Sequence, residues 1–303
     1  MYFTSLPDHT NPSFDKQLHF SKFRQCNIIF NALASKSYCE EHVGCLSFKT
    51  VLSGEEWYGI NNQQKAVRPG QFLILNDDQP YSSRIDTEDK VRSLSVFFRK
   101  EFASDVFHDA LNNEEILLDN PFHPGRTIPE FFQTLYDIDS TLQQQLMRFI
   151  SGMDTWGYQV DRVEEDLIFI LHYLIRTHQS EIRHVSRVSA VKLSTRKEIY
   201  KRLCIAKDLL HSTFMDKPDL IKVSNTSCLS VPQLVRQFRT VFQTTPYQYL
   251  TNIRLSQAAE LLKRTRMPVN EITLEIGFEN TSAFCRAFKA QYGVAPLSFR
   301  AAN

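Results

Sequence analysis

Residues 276–300, IGFENTSAFCRAFKAQYGVAPLSFR, place a glycine–aromatic turn before a short apolar-periodic segment that carries basic side chains. Gly277 can adopt the left-handed backbone conformation that ends a helix, and Asn280 can cap the helix that follows. Phe284 and Phe288 then recur at helical spacing. The stretch predicts a helix–turn–helix, which either docks on DNA or forms one more hairpin of a helical bundle.

The same pattern occurs twice in the chain, with an offset of 50 positions. Two amphipathic helices match by chance at apolar positions, but chance matches basic residues and prolines in register less often. The repeat therefore predicts a second helix–turn–helix upstream, in which Cys228 stands at the place of the turn glycine. The matched pairs are Leu234/Phe284, Arg236/Arg286, Phe238/Phe288, Arg239/Lys289, Phe242/Tyr292, Pro246/Pro296 and Tyr249/Phe299.

A long helical segment, residues 246–265, separates the two units. A helix of that length spans about 30 Å at about 1.5 Å per residue. Successive major grooves on one face of B-DNA lie roughly 34 Å apart. A rigid spacer of this length predicts two recognition helices, at about 231–243 and 281–292, that enter neighbouring major grooves.

Side chains between the buried positions of each recognition helix point outward, where DNA can reach them. Arginine reads guanine through two hydrogen bonds, and basic side chains also neutralise phosphates. A charged helix face is otherwise simply solvated, but the repeat, the spacer and the charge balance together favour DNA. The candidate DNA-contacting residues are Gln233, Val235, Arg236 and Arg239 in the first helix and Asn280, Thr281, Ser282, Cys285, Arg286 and Lys289 in the second.

The charge of the chain is divided unevenly along its length. The whole chain has a net charge of +1, yet residues 196–303 contain 16 Lys and Arg against 8 Asp and Glu, a net of +8. Residues 1–195 contain the other 19 basic and 26 acidic residues, a net of −7. A basic segment joined to an acidic one predicts two domains with different tasks, 1–195 and 196–303, and a polyanionic partner for the second.

Residues 27–98 have the pattern of short strands separated by turn residues such as Asn61-Asn62 and Pro69-Gly70, which predicts a small barrel or sandwich. Helices are expected from about residue 100 onward. An apolar stripe over 160–175 either packs on the barrel or pairs two subunits. The strand runs are 27–33, 43–52, 72–75 and 93–98, the further helix candidates are 127–138 and 140–153, and the expected interdomain linker lies within 183–198.

The stretches SCLSVPQLVRQFRTVFQTTPYQYLTNIRLSQAAELL (227–262) and PVNEITLEIGFENTSAFCRAFKAQYGVAPLSFR (268–300) resemble the AraC-type (AraC/XylS) transcription regulators. The resemblance implies a bipartite DNA-binding domain that regulates transcription at promoters on double-stranded DNA, often with contact to RNA polymerase. In the first unit, Pro232 and Val235 occupy places that contact bases in some members. We therefore expect the second unit to carry more of the sequence reading.

The segment AVRPGQFLILNDDQPYSS (66–83) resembles the strand–turn–strand of the family's sensor arm. This implies an α+β fold: a cupin-like small β-barrel with following helices, then an all-α domain of two helix–turn–helix units. It also implies a small-molecule effector pocket in the barrel and a homodimer formed through the helices after it. Alternatively, the barrel serves only to dimerise. Aromatic side chains that either line a pocket or fill the core are Trp57, Tyr58, Phe72 and Tyr81.

A cupin-type metal-dependent enzyme with a helical appendage is the alternative function. It needs several histidines and a carboxylate on one metal, whereas residues 27–110 contain only His42 and His108. Cys39, His42 and Cys45 lack the partner pair of a closed zinc site. Phosphate-binding and nucleophile-elbow motifs are also missing from the sequence. We therefore expect a non-enzyme with no metal and no cofactor.

The N-terminal residues have no signal-peptide pattern, and no run of residues is long and uncharged enough to span a bilayer. The six cysteines are scattered along the chain without a disulfide framework. Together these features predict a cytoplasmic protein with reduced thiols and no membrane contact.

Overall fold

Two compact units, Met1–Arg183 and His184–Asn303, divide the chain in the computed structural model, which describes residues 1–9, 11–112, 128–216 and 218–302. The first unit combines a β-sheet with helices, and the second is all helical. The α+β class expected from the sequence is confirmed. The contacts divide the chain before the boundary near Thr195 that the charge pattern indicated.

The described part of the first unit is built on an eight-stranded sheet with the order β1-β2-β7-β3-β6-β8, in which β4 pairs with β5 and β7. Strand β1 is parallel to β2, and the other pairs are antiparallel. Each predicted strand run overlaps a strand, but the run 43–52 is divided between the end of β2 and β3. The strands are β1 (Tyr2–Phe3), β2 (Ile28–Gly44), β3 (Ser47–Ser53), β4 (Glu56–Ile60), β5 (Gln63–Val67), β6 (Gln71–Leu75), β7 (Gln79–Phe97) and β8 (Leu135–Asp137).

Strands β4 and β5 form a hairpin that the apolar pattern alone missed. Asn61 and Asn62 connect them with φ values of 50° and 62°. A two-residue turn with two left-handed residues matches the twist of paired strands, and asparagine tolerates that conformation better than most residues. The predicted turn at Asn61-Asn62 is therefore a tight hairpin turn.

The expected closed barrel is wrong, because the sheet has two ends. Strands β1 and β8 lie at opposite ends of the strand order and do not pair with each other in the described residues. The sheet is organised instead around β7, whose 19 residues pair with β2 along one edge and with β3 and β4 along the other. Register shifts in the β2–β7 pair, between Ala34 and Lys36 and between Cys39 and His42, are bulges that bend the strands.

Alternation along the strands gives the sheet two different faces. In β6, Phe72 and Ile74 join the core that the helices cover, whereas Leu73 and Leu75 join a second core on the other face. Strand β4 alternates in the same way, since Tyr58 belongs to the second core and Trp57 points away from it. Neighbouring residues of one strand therefore have separate structural roles.

The helices of the first unit cover one sheet face through an apolar stripe. Leu167, Leu171 and Leu174 pack in one cluster with Phe48 and Phe72 of the sheet. The packing interpretation of the 160–175 stripe is thus confirmed. No helix of the described residues is long and apolar enough to cross a membrane. The helices are α1 (Lys16–Gln25), α2 (Lys100–Leu111), α3 (Ser140–Trp156) and α4 (Val160–Arg187).

Residues 127–138 do not form the predicted helix; Thr127 lies outside the described residues, and the segment ends in strand β8. Asn76 explains the difference, because its side chain accepts from the Phe131 backbone N–H at 2.8 Å and donates to the Phe131 carbonyl at 2.9 Å. These bonds satisfy backbone groups that would otherwise need a helix. The 140–153 helix is confirmed by α3.

The segment predicted as a linker is mostly helical. Helix α4 continues to Arg187 and the next helix begins at Leu193, so only residues 188–192 are irregular. The helical period of α4 runs on through the buried Glu181 and Val185. A polar residue at an inward position hid that period from the apolar pattern.

Helices make up the second unit, as the sequence predicted. Besides the last turn of α4, they are α5 (Leu193–Ser212), α6 (Leu220–Thr226), α7 (Val231–Phe242), α8 (Pro246–Arg264), α9 (Val269–Glu275), α10 (Thr281–Tyr292) and α11 (Pro296–Ala301).

Candidate nucleic-acid interface

The first helix–turn–helix consists of α6 and α7. The Leu229 N–H bonds to the Ser224 carbonyl at 3.0 Å, and Cys228 between the helices has a φ of 52°. This is the left-handed residue that ends a helix, and here it is not glycine. The Ser230 hydroxyl then accepts from the Gln233 N–H at 3.4 Å and caps α7. A capping box has two hydrogen bonds, one to the side chain of the N-cap residue and one from its backbone N–H. Among the described residues, the first of these is formed between Ser230 and Gln233.

The second helix–turn–helix consists of α9 and α10 and closes in the same way. The Phe278 N–H bonds to the Thr273 carbonyl at 3.0 Å, and Gly277 has a φ of 77°. Asn280 Oδ1 accepts from the Ala283 N–H at 2.8 Å, which confirms the predicted cap of α10.

The sequence repeat appears in space as a repeated aromatic contact. Phe238 lies with its ring centroid 4.6 Å from Phe242 and 5.6 Å from Tyr249. Fifty positions later, the Phe288 ring lies 4.6 Å from that of Tyr292 and 5.3 Å from that of Phe299. Both recognition helices are therefore held on their neighbours by the same three-ring cluster.

Helix α8 connects the two units and packs on both, since it contacts α7 on one side and α9, α10 and α11 on the other. It has 19 residues, which corresponds to about 28 Å at about 1.5 Å per residue. A complete capping box between Thr245 and Gln248 starts it. Leu255, Ala258 and Leu262 are buried in the core of the second helix–turn–helix. The predicted spacer is thus a single continuous helix.

Arg254 adds a polar fastening at the middle of α8. Its side chain is buried, and Nε donates to the Phe214 carbonyl at 2.8 Å while one terminal nitrogen donates to the Asp216 carbonyl at 2.7 Å. The guanidinium also lies 5.9 Å from the Phe278 ring. Arg254 therefore connects the segment before α6 to the turn of the second helix–turn–helix.

The predicted DNA-contacting residues all lie on the outer surfaces of α7 and α10 or at the α10 cap. None of them is buried, in contrast to Leu234, Phe238, Phe284 and Phe288, which are fully enclosed. Those with exposed side chains are Arg236, Arg239, Asn280, Ser282, Arg286 and Lys289, and those half-buried are Gln233, Val235, Thr281 and Cys285.

The basic residues of these surfaces are not neutralised by the protein. In the described parts of the chain, no carboxylate lies within 4 Å of the charged nitrogens of Arg236, Arg239, Arg286 or Lys289. Ion pairs of α8 itself, such as Arg264 with Glu260 at 3.1 Å, involve other side chains. Both recognition surfaces therefore present unpaired positive charge, which suits a polyanion.

A cavity of about 1010 Å³ lies in the first unit, on the sheet face opposite α3 and α4. Of the four aromatic residues singled out from the sequence, Tyr58 and Tyr81 line it. Trp57 and Phe72 do not line this cavity: Trp57 alternates with Tyr58 along β4, and Phe72 packs in the core under the helices, which was the other alternative for it. The alternation of the strands separates the two pairs.

Sequence reasoning missed the charged residues of this cavity. Lys49 in β3 and Glu56 in β4 both line it, and both are buried. The available signal was a lysine inside the otherwise apolar strand run 43–52, at a position that shares its face with Val51. A buried ionisable group in a cavity is a candidate functional residue.

The cysteine–histidine group considered for metal lies at the same cavity. Cys39 Sγ is 3.4 Å from His42 Nδ1, and Cys45 also lines the wall. Burial raises the pKa of the Cys39 thiol to about 11, which opposes the thiolate that a metal requires. Across the described ranges, no three His, Cys, Asp or Glu side chains come together as a metal site.

Comparison with known proteins gives a consistent result. A family model described as a helix-turn-helix domain matches residues 223–302. An uncharacterized HTH-type transcriptional regulator of Haemophilus influenzae is 24% identical over 94% of this chain and 97% of its own length. The arabinose operon regulatory protein of Escherichia coli is 35% identical over 27% of this chain and 28% of its own length.

Among solved structures, a Chromobacterium violaceum regulator with an AraC-type DNA-binding domain is similar, with 25% identity, a TM-score of 0.32 and coverage of 33% of this chain and 90% of its own. The repeated helix–turn–helix, its α8 spacer, the matched family model and the relatives named as transcriptional regulators lead to one conclusion: the chain is similar to the AraC-type DNA-binding transcription regulators, and the matched helix–turn–helix domain covers its residues 223–302.

Proposed function

We propose that α7 and α10 enter successive major grooves on one face of double-stranded DNA. The observation that carries this proposal is the pair of equivalent three-ring clusters that hold both helices in units joined by one helix of 19 residues. A helix of about 28 Å approaches the spacing of roughly 34 Å between grooves, and the width of the two units makes up the difference.

Within this arrangement, Arg236 and Arg286 read bases, and Arg239 and Lys289 neutralise phosphates. The assignment is supported by their exposure and by their position one and two turns into the recognition helices, where base edges are reached first. The residues that flank the arginines set the base preference beside them; they are Gln233, Val235, Thr281, Ser282 and Cys285. Asn280, at the start of α10, contacts the DNA phosphate backbone.

We further propose that the cavity of the first unit receives a small-molecule effector that changes DNA affinity. A volume of about 1010 Å³ suffices for a drug-sized molecule. Aromatic rings line it together with many polar and charged side chains, which can orient a ligand through hydrogen bonds and charge. Homodimerisation through the first unit and contact with RNA polymerase complete the proposal and rest on the family resemblance alone. Action in the cytoplasm is proposed from the N-terminal residues and the scattered cysteines.

Selection of binding sites from a random duplex library tests the DNA part. The purified full-length protein should enrich one sequence motif, and its affinity for that motif should fall steeply with salt, because several phosphate contacts release counterions. The variant Phe288→Leu keeps the surface and serves as a packing control. Enrichment of no motif, or an affinity that does not change with salt, would contradict the proposal.

A thermal-shift screen of small metabolites on the full-length protein tests the effector part. A ligand that binds only the folded state raises the melting temperature in proportion to its saturation. The same compound should then change affinity for the selected DNA. A stabilising compound that leaves DNA affinity unchanged would separate the cavity from regulation.

A further inference from the structure

Lys49 is an unusual wall residue of the cavity. It is only 2% exposed, and its Nζ lies 3.3 Å from the centroid of the Phe97 ring and 5.4 Å from that of Tyr81. In the described residues, no carboxylate lies within 4 Å of Nζ and no hydrogen bond engages it. Apart from these two rings, a buried amine that faces a cavity with neither an ion pair nor a hydrogen bond is costly in its charged form.

Burial changes the chemistry of this amine. Desolvation lowers the pKa of Lys49 to about 7, and the nearby Glu56 opposes only part of that shift. A large fraction of Lys49 is therefore neutral at pH 7, whereas an exposed lysine with a pKa of about 10.4 is neutral in fewer than ~1 in 1,000 molecules. Neutral amines are nucleophiles, so Lys49 differs in reactivity from the surface lysines.

Glu56 supplies an acid to the same cavity. Its carboxyl accepts a hydrogen bond from the Ser93 hydroxyl at 2.5 Å and is also hydrogen-bonded to Tyr58. Burial raises the pKa of Glu56, which favours the protonated form more than in water. An amine and a carboxylic acid in one cavity are the two groups that a carbonyl condensation needs.

The same pair argues against a carboxylate ligand. Burial favours the neutral forms of both Lys49 and Glu56, so a carboxylate ligand would bring a negative charge to a wall that offers no full positive charge to balance it. A neutral carbonyl compound brings no such charge. The remaining wall includes Phe20, Phe23 and Phe30, which suit an apolar or aromatic body.

We propose that Lys49 holds its effector covalently, as an imine with an aldehyde that carries an apolar or aromatic body. The Nζ lone pair attacks the carbonyl carbon, the C–N bond forms as the C=O π bond breaks, and the oxygen takes a proton from Nζ to give a carbinolamine. Its hydroxyl then leaves as water with a proton from Glu56, Nζ loses a proton, and Glu56 regains one. Amine and aldehyde thus yield imine and water, without any oxidant or reductant, and the reaction is reversible. The inference rests on the proposal that the cavity receives an effector.

Reductive trapping tests the imine on the full-length protein. Octanal with cyanoborohydride at pH 7, followed by peptide mapping, should label Lys49 at least roughly 100-fold faster than the average surface lysine, because of its neutral fraction. At pH 10 the selectivity should largely vanish as the surface lysines become neutral. Labelling spread evenly over the lysines at pH 7, or Lys49 left unlabelled, would overturn the proposal. The map of the wild-type chain is informative whether or not a variant folds.

Two further arms separate the alternatives. Lys49→Arg keeps a cation but cannot form an imine, so trapping at this peptide should disappear; Lys36→Arg, on an exposed part of β2, should leave it unchanged. Octanoate should not slow the labelling of Lys49, and protection by octanoate would overturn the proposal in favour of an anion site. The trapping experiment itself contains no DNA, so it tests the imine separately from regulation. If Lys49 is labelled but DNA affinity does not change, the imine is upheld and the effector role is contradicted. If a ligand changes DNA affinity but Lys49 is not trapped, the effector role is upheld and the imine is contradicted.

Discussion

The two helix–turn–helix units share their ring clusters and caps but differ in their turns. In the first unit, Cys228 takes the left-handed conformation with its side chain exposed. In the second, Gly277 takes it in a crowded place, where an added Cβ would lie 2.5 Å from the Met215 carbonyl oxygen. The second turn is also longer by one residue, since Gly277, Phe278 and Glu279 precede the cap.

This difference shows that the repeat preserves the position of the recognition helix but not the length or conformation of the turn that precedes it. The second turn is fastened from outside the unit, through the close approach of Gly277 to Met215 and through Arg254. The first turn rests on its own backbone bonds and on Arg202, which donates to the Cys228 carbonyl at 3.1 Å. We therefore expect the second unit to be the less tolerant of change.

The largest effect is expected from Gly277→Ala. A left-handed conformation costs a non-glycine residue roughly 1–2 kcal/mol, and the contact with the Met215 backbone adds to that. Urea unfolding of the full-length protein should show a loss of at least ~2 kcal/mol. Cys228→Ala is the matched control in the first turn and should change stability by less than ~0.5 kcal/mol. Equal effects of the two substitutions would remove the asymmetry.

Arg254→Met is expected to cost about 2 kcal/mol. The methionine preserves the apolar packing of the stem but leaves the Phe214 and Asp216 carbonyls without their charged donor. Hydrogen exchange should show faster opening of the 214–216 segment and of the second turn. Arg202→Met, the corresponding change beside the first turn, is half-exposed and should cost less than ~1 kcal/mol. A larger loss for Arg202→Met would reverse the comparison.

Arg286→Ala should weaken binding to the selected DNA site by about 1–3 kcal/mol and relax the preference at one base position. Arg236→Ala in the first unit should do the same at a second position, with a smaller loss, since Pro232 and Val235 beside it offer few polar contacts. Competition titrations against single-base variants of the site measure both. Wild-type binding by both variants would show that the contact assignment is wrong.

Cys228→Gly is expected to give the smallest effect and the opposite sign. Glycine adopts the φ of 52° without strain, which offsets its larger entropy in the unfolded chain. We expect a gain of up to ~1 kcal/mol in the free energy of unfolding, with no change in DNA affinity. Destabilisation would mean that the Cys228 side chain makes a contribution of its own.

Local signals predicted the helical unit His184–Asn303 well, and long-range contacts account for most of the errors. Gly277, the Asn280 cap and both recognition helices depend on neighbouring residues, so the sequence pattern indicated them correctly. The 127–138 segment failed because Asn76, far away in the chain, satisfies its backbone. The pairing of strand ends, which decides whether a barrel closes, leaves no trace in a local pattern.

The cavity shows the same limit at the level of single residues. Aromatic content identified Tyr58 and Tyr81 together with two residues that lie elsewhere, because residue type alone does not distinguish the two faces of a strand. Lys49 could have been found from its inward phase in β3, but the fold around it determines that it contacts the Phe97 and Tyr81 rings and has no ion pair or hydrogen bond among the described residues.

The most direct test of the central claim is a methylation-protection footprint on the selected DNA site. The account predicts two clusters of protected guanine N7 positions, about one helical turn (~10 base pairs) apart on one face of the duplex. Arg236→Ala should remove protection in one cluster and Arg286→Ala in the other. A single protected cluster, or loss in the same cluster with both variants, would contradict the insertion of two recognition helices into successive major grooves.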